Sequence, residues 1–193
     1  MTMKKHKHWL VLLILIIGLI SGCSVIDGQL DEANKLLAES NAATPKFNEL
    51  LTKSNDLFND LMGDNWVNAK DTQAYKEQNK SKFDELISLR EQVEKIGDEQ
   101  TDKLEKASKL NISKEFKEYL ILLIQIDRKK KEERSLMVPY IKTFLQTKDV
   151  VQVNKLGEER EKKEEILTKE ADELGKKLEQ FKKDNPNLLD AAK

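Results

Sequence analysis

From Leu30 onward, residues Leu30, Ala33, Leu37, Ser40, Thr44, Phe47, Leu51, Ser54, Phe58 and Leu61 advance in alternating steps of three and four. That spacing puts them on one face of an α-helix. Leu36, Ala43, Leu50 and Leu57 widen the stripe, which gives the broad apolar face of a bundle helix rather than a narrow dimer seam. Pro45 lies inside the run. Its missing N–H predicts a kink or short break after Asn41, with the register continuing beyond it. Gly63-Asp64-Asn65 ends the segment.

A second helix is expected from Asn68 or Asp71 to Leu110, with Tyr75, Phe83, Leu86, Leu89, Val93, Ile96, Leu104 and Ala107 inward and a weak stretch between Gly97 and Lys103. Ser113 supplies an N-cap for a third, which carries Phe116, Tyr119, Leu120, Leu123, Ile126, Met137, Tyr140, Ile141 and Phe144, and which Pro139 should bend. A fourth begins at Asp149, whose spacing to Gln152 fits a capping box. It presents Val153, Leu156, Ile166, Leu167, Ala171, Leu174, Leu178 and Phe181, and Asn185-Pro186 stops it before a short tail over 185–193.

Four helices of roughly 35 to 40 residues joined by short turns predict an all-α chain. The simplest packing is an elongated four-helix up-and-down antiparallel bundle, because short loops force sequential helices side by side. At 1.5 Å per residue the rod is about 50 to 60 Å long. A three-helix, spectrin-like rod with the first segment partly loose is the alternative. Strands are not expected, since period-two runs of β-branched residues are missing apart from Asp149 to Val153, which reads better as a helix start.

The segment before these helices has a different pattern. Lys4, Lys5 and Lys7 precede an uncharged apolar run from Trp9 to Ile20, the charged and hydrophobic regions of an export signal. Ile20-Ser21-Gly22-Cys23 follows and resembles the bacterial lipobox. That resemblance implies cleavage between Gly22 and Cys23 and a diacylglycerol on the Cys23 sulfur. Residues 1–22 are then a lipoprotein signal peptide and 23–193 a lipid-anchored helical domain on the extracytoplasmic side of the cell membrane. The rival is an uncleaved membrane helix, since Trp9 to Ile26 is 18 uncharged residues, at the lower edge of the roughly 17 to 25 that span a bilayer.

Composition changes meaning once this processing is applied. The whole chain of 193 residues has 34 basic and 35 acidic side chains, two histidines and one cysteine. Cleavage removes three lysines, no acid, and both histidines, His6 and His8, so the exported part is mildly acidic. With Cys23 taken up by lipid it has neither imidazole nor free thiol. A Ser-His-Asp triad, a Cys-His pair and any histidine or thiolate metal site are thereby excluded from it. No cofactor, no metal and no enzymatic activity is expected. A basic stripe with interleaved aromatics is missing, so nucleic acid is not an expected partner.

Two blocks without an apolar residue stand out, 127–135 and 157–165. Counted from a turn near Thr147 they face each other in an antiparallel hairpin. One reading is a solvated, mutually neutralising stretch with Glu158–Lys162 and Glu159–Lys163 pairs. The other is a basic patch of Arg128, Lys129, Lys130 and Lys131 that holds an anionic wall polymer. The run Tyr119 to Ile126 is apolar nearly all round, which points to burial on more than one side or to a hydrophobic-ligand cavity. Trp66 reads either as a cap over the bundle end or as an exposed binding aromatic.

Lipobox, length and Lys/Glu-rich helical texture together resemble the YkyA-like cell-wall-binding lipoprotein family of Gram-positive bacteria. The resemblance implies a four-helix bundle outside the membrane whose partner is a cell-wall polymer, peptidoglycan or teichoic acid. It carries no catalytic residues with it. The expected function is a non-enzymatic, lipid-anchored surface protein that binds the wall or acts as a spacer or interaction module. The alternative is an extracytoplasmic ligand-binding or chaperone-like accessory lipoprotein. No protein partner is indicated.

Overall fold

A computed structural model describes residues 25–63, 66, 69, 71–186 and 188. Gly22 and Cys23, and with them the signal segment and the lipid site, lie outside the described residues. Among those described, the chain forms seven α-helices: α1 (Val25–Ala42), α2 (Thr44–Met62), α3 (Thr72–Gln78), α4 (Lys80–Ser108), α5 (Lys114–Ser135), α6 (Met137–Gln146) and α7 (Val150–Asp184). They compose four arms: α1 with α2, α3 with α4, α5 with α6, and α7 alone. No strand occurs among the described residues.

Each arm packs on its sequence neighbour: α1 and α2 on α4, α4 on α5, and α5 on α7. The start of α1, the end of α4, the start of α5 and the end of α7 share one cluster, and the end of α2, the start of α4, α6 and the start of α7 share another, so the path is up and down. The fourth side, between the first arm and α7, is bridged by long side chains: the Arg160 guanidinium lies 5.0 Å from the Tyr140 ring centre and 5.3 Å from that of Phe58 on α2. The first arm is no loose segment. Ala33, Leu50 and Leu61 are all buried against the other arms, which favours four arms over a three-helix rod. The 35 residues of α7 give a length of about 50 Å.

The breaks have local causes. α1 stops at Ala42 and α2 starts at Thr44 with Pro45 in its first turn, where a missing N–H costs nothing. The Ser40 carbonyl at this break accepts from Gln100 Nε2 at 2.8 Å, and the same Nε2 donates to Thr44 Oγ1 at 3.1 Å. The third arm is interrupted at Leu136, in the turn before Pro139, because the proline cannot donate to the carbonyl one turn earlier.

The second arm differs from expectation twice. It is interrupted at Asn79, where the side-chain Nδ2 and the backbone N–H both donate to the Tyr75 carbonyl, at 2.9 and 3.1 Å, and so cap the end of α3. The expected weak stretch from Gly97 to Lys103 is unbroken helix. Here Gly97 leaves room for a neighbour: a Cβ on it would stand 3.0 Å from Arg134 Nη2 and 3.4 Å from Phe47 Cε2.

Caps appear where the side chains suggested. Asp71 accepts from Gln73 N and Ala74 N, Ser113 from Phe116 N, and Asp149 from Val151 N and Gln152 N. The reciprocal half of the capping box is absent. Asp149 N donates to Thr147 Oγ1, and that hydroxyl donates to Gln152 Oε1. Ile166, expected inward, is 57% exposed, because α7 faces its neighbours there with charged side chains.

Three apolar clusters stack along the rod. The one nearest the start of α1 contains Ala33, Leu104, Ala107, Phe116, Leu120, Leu123 and Leu178. The far end holds Leu61, Phe83, Leu86, Met137, Ile141, Phe144 and Val153. Between them, Leu50, Leu89 and Val93 form a smaller cluster on the first two arms only. At that height the third and fourth arms bring no apolar partner. They bring the two charged blocks.

Candidate functional site: a buried charged layer

The stripe of α4 explains how charge enters the core. Phe83, Leu86, Arg90, Val93, Gly97, Gln100, Leu104 and Ala107 follow steps of three and four, so Arg90, Gly97 and Gln100 occupy positions otherwise reserved for apolar residues. Arg90 is 5% exposed, and its Nη2 donates to Asn55 Oδ1 of α2 at 2.6 Å. Two further arginines reach the same level. The Arg134 side chain of α5, 14% exposed, places Nε 3.7 Å from Glu94 Oε1 and its guanidinium 5.0 Å from the Phe47 ring centre. The Arg160 side chain of α7, 13% exposed, pairs with Glu164 at 2.6 Å. All three have a buried Nε with no hydrogen-bond partner.

Four carboxyls share the layer. Burial pushes the carboxyls of Glu94, Asp127, Glu133 and Glu164 above their ordinary range, against the opposing pull of nearby arginines and Lys130. Burial equally lowers the cations: Arg134 and Lys130 shift down, and Arg90, which also feels Arg160 and Arg134, falls to about 10. Taken with Arg160 the layer has four bases and four acids. That balance, rather than a surplus of one sign, suits mutual neutralisation better than capture of an additional ion.

The register between α5 and α7 sets the overlap of the two sequence blocks. A Cβ on Gly157 would touch Tyr140 Oη at 3.4 Å, Arg160 Nη1 lies 3.8 Å from Met137 Sδ, and Glu133 hydrogen-bonds Thr168. The blocks therefore face each other only over 132–135 and 162–165, shifted from the register that a turn at Thr147 suggests. Among the described ion pairs, Glu158–Lys162 and Glu159–Lys163 do not occur. The cations of the third arm pair mainly between arms.

Arg128 to Lys131 fan out around α5, since consecutive helical residues differ by about 100°. Arg128 Nη2 meets Glu105 at 2.7 Å and Lys131 Nζ meets Asp98 at 2.6 Å, both on α4. Lys129 turns to α7, 2.9 Å from Glu170, with Glu132 at 3.3 Å. Lys130 is half-buried beside Asp127. Hydrogen bonds to these carboxylates raise the Lys129 and Lys131 ammonium groups above their usual range.

Trp66 covers the far end, its ring edge-on to Phe144 at 4.9 Å. Beside it Lys76, almost fully buried, donates to the Thr147 carbonyl at 2.5 Å and lies 4.5 Å from the Phe144 ring centre; burial lowers its ammonium group. In the Tyr119–Ile126 run, Tyr119, Leu120, Leu123 and Ile124 are buried while Ile121 is 46% exposed. Two surface grooves, one lined by Glu91, Asp98, Glu99 and Arg134 and one by Ser113, Asp184 and Leu188, are open rather than enclosed. Among the described residues no group of three or more His, Cys, Asp or Glu could hold a metal ion, and no helix is long and apolar enough to cross a membrane. No family model, curated protein or solved structure matches the chain.

Proposed function

We propose that the chain is a non-enzymatic surface lipoprotein, anchored through lipid on Cys23 to the extracytoplasmic side of the membrane, whose bundle is a stiff spacer or interaction module facing the cell wall. One observation carries the reading: α1 begins at Val25, two residues after the lipobox cysteine. A lipid at that position tethers the rod at one end with almost no slack. The far end, with Trp66 and the α6–α7 turn, then stands about 50 Å away. Interarm ion pairs at Arg128, Lys129 and Lys131 support a self-neutralised spacer over a strongly polyanion-binding face, because each cation already has a carboxylate beside it.

In cell fractionation, Cys23→Ala is expected to move the chain out of the membrane fraction, since two acyl chains make release slow and none leaves no anchor. If the variant stays with the membrane, the lipid anchor is wrong and an uncleaved apolar helix takes its place. Retention of the purified chain on isolated wall through a range of salt supports wall binding. No retention at any salt removes the wall as partner.

A further inference from the structure

The seven residues of α3 make it the shortest of the described helices, and it lies at the far end of the rod. Its only buried side chain is that of Lys76, 4% exposed; Tyr75 is half-buried against the far cluster, and Gln73, Glu77 and Gln78 are exposed. Two side-chain bonds hold it down. Tyr75 Oη donates at 2.8 Å to the carbonyl of Leu61 in the last turn of α2, and Lys76 Nζ donates at 2.5 Å to the carbonyl of Thr147, the residue that ends α6. Carbonyls at a helix C-terminus have no helical partner, so α3 ties down two helix ends at once. Beneath Lys76 lies the Phe144 ring, with Trp66 edge-on to it.

This hold is weak. A helix of seven residues does not persist on its own backbone bonds, and α3 adds little apolar burial to them. Lys76 gains a carbonyl and a ring face, yet its ammonium group has left water with no carboxylate beside it. Among the described residues it forms no ion pair, and burial is the only influence on its charge. A buried charge without a counter-charge costs more than an apolar side chain of similar length in the same place. The link to α4 is thin as well. Asn79 has φ −102° and ψ 10°, and among the described backbone bonds none runs from the N–H groups of 80–82 to the carbonyls of 76–78.

We propose that α3 is a releasable strap over the apolar end of the rod: it lifts about Asn79 while the long helices stay packed, and the buried, acid-free ammonium group of Lys76 keeps that release easy. Lifting breaks the bonds to Leu61 and Thr147 and bares Phe144 and Leu61. The end remote from the start of α1 thereby has a covered form and an apolar form. The strap depends on packing at that end alone, and is read in the same way whether or not Cys23 carries lipid.

Amide hydrogen exchange of the full chain in detergent micelles, corrected for the intrinsic rate, tests it. The Tyr75 and Asn79 N–H groups bond to the carbonyls of Asp71 and Tyr75 in the closed strap. Amides of 75–79 are expected to exchange about a hundredfold faster than those of 120–123 in the cluster around Leu120, yet slower than in an unfolded chain. They should keep their rate in low urea, because local opening exposes little surface, while amides of 86–89, past the break, follow the core. Lys76→Met keeps the length of the side chain without its charge and is expected to slow exchange of 75–79 about tenfold. Exchange of 75–79 in step with the core, or at the rate of an unfolded chain, would overturn the strap. A folded Lys76→Met variant whose 75–79 amides exchange as fast as the wild type's, or faster, would also overturn it. The wild-type comparison decides whether or not that variant folds.

Discussion

Phe144→Ala is expected to lower the stability of the bundle by about 3–5 kcal/mol, the cost of removing a large core side chain whose surroundings collapse only in part. Phe144 is 1% exposed and sits where several elements meet. Phe83 of α4 is 5.5 Å from it ring to ring, Trp66 stands edge-on at 4.9 Å, and Lys76 of α3 lies over its face at 4.5 Å. Truncation leaves a void beneath the end of the rod and removes the ring that shields a buried ammonium group. Urea unfolding followed by far-ultraviolet circular dichroism measures the change, with Ile166→Ala as a comparison. Ile166 is mostly solvated, so its truncation should cost no more than about 0.5 kcal/mol. Equal effects at the two sites would mean that the far cluster is not packed as described.

Arg90→Ala is expected to cost about 3–5 kcal/mol at neutral pH, the range for removing one member of a buried charge network. The loss has three parts. Asn55 Oδ1 gives up its donor, Glu164 and Glu94 lose a nearby positive charge, and the volume of the long side chain is vacated. Arg90→Met keeps most of that volume, so the difference between the two variants separates packing from charge. With Glu164→Gln added, Arg90→Met should cost less than it does alone, because the attraction between Arg90 and the Glu164 carboxylate is then no longer there to lose. Arg160 still pairs with that carboxylate at 2.6 Å when it is present. A double-mutant cycle by urea unfolding gives the coupling. Simple additivity there would show that Arg90 and Glu164 do not sense each other across the bundle.

Much of the fold is legible in the chain alone. The three-four stripe from Leu30 to Leu61, the break at Pro45, and the caps at Ser113 and Asp149 are local properties. Each follows from periodicity, a missing N–H or a short polar side chain. What misleads is also local. Gly97 counts as a helix weakness by propensity, yet its missing side chain makes space for Phe47 and Arg134 from two other arms. Asn79 gives no warning, since an asparagine inside a polar helical run is ordinary until its amide folds back on Tyr75. Arg90 has a signal, its place in the stripe between Leu86 and Val93. An apolar-only reading of inward positions passes over it.

The charged blocks mark where inference from residues ends. That 127–135 and 157–165 contain no apolar residue is plain in the chain, and so is the consequence that they cannot build core. Which groups then meet depends on the α5–α7 register, on the seam that Arg160 crosses, and on the room beside Gly97. None of these is a property of one helix. An all-helical chain, its caps, its proline breaks and its apolar stripes are all written in the order of residues, because backbone hydrogen bonding and side-chain periodicity act over one or two turns. Packing of the four arms was needed to bring three arginines and four carboxyls together in the middle of the bundle. Their energies depend on burial and on distances between arms, and both exist only once the arms have packed.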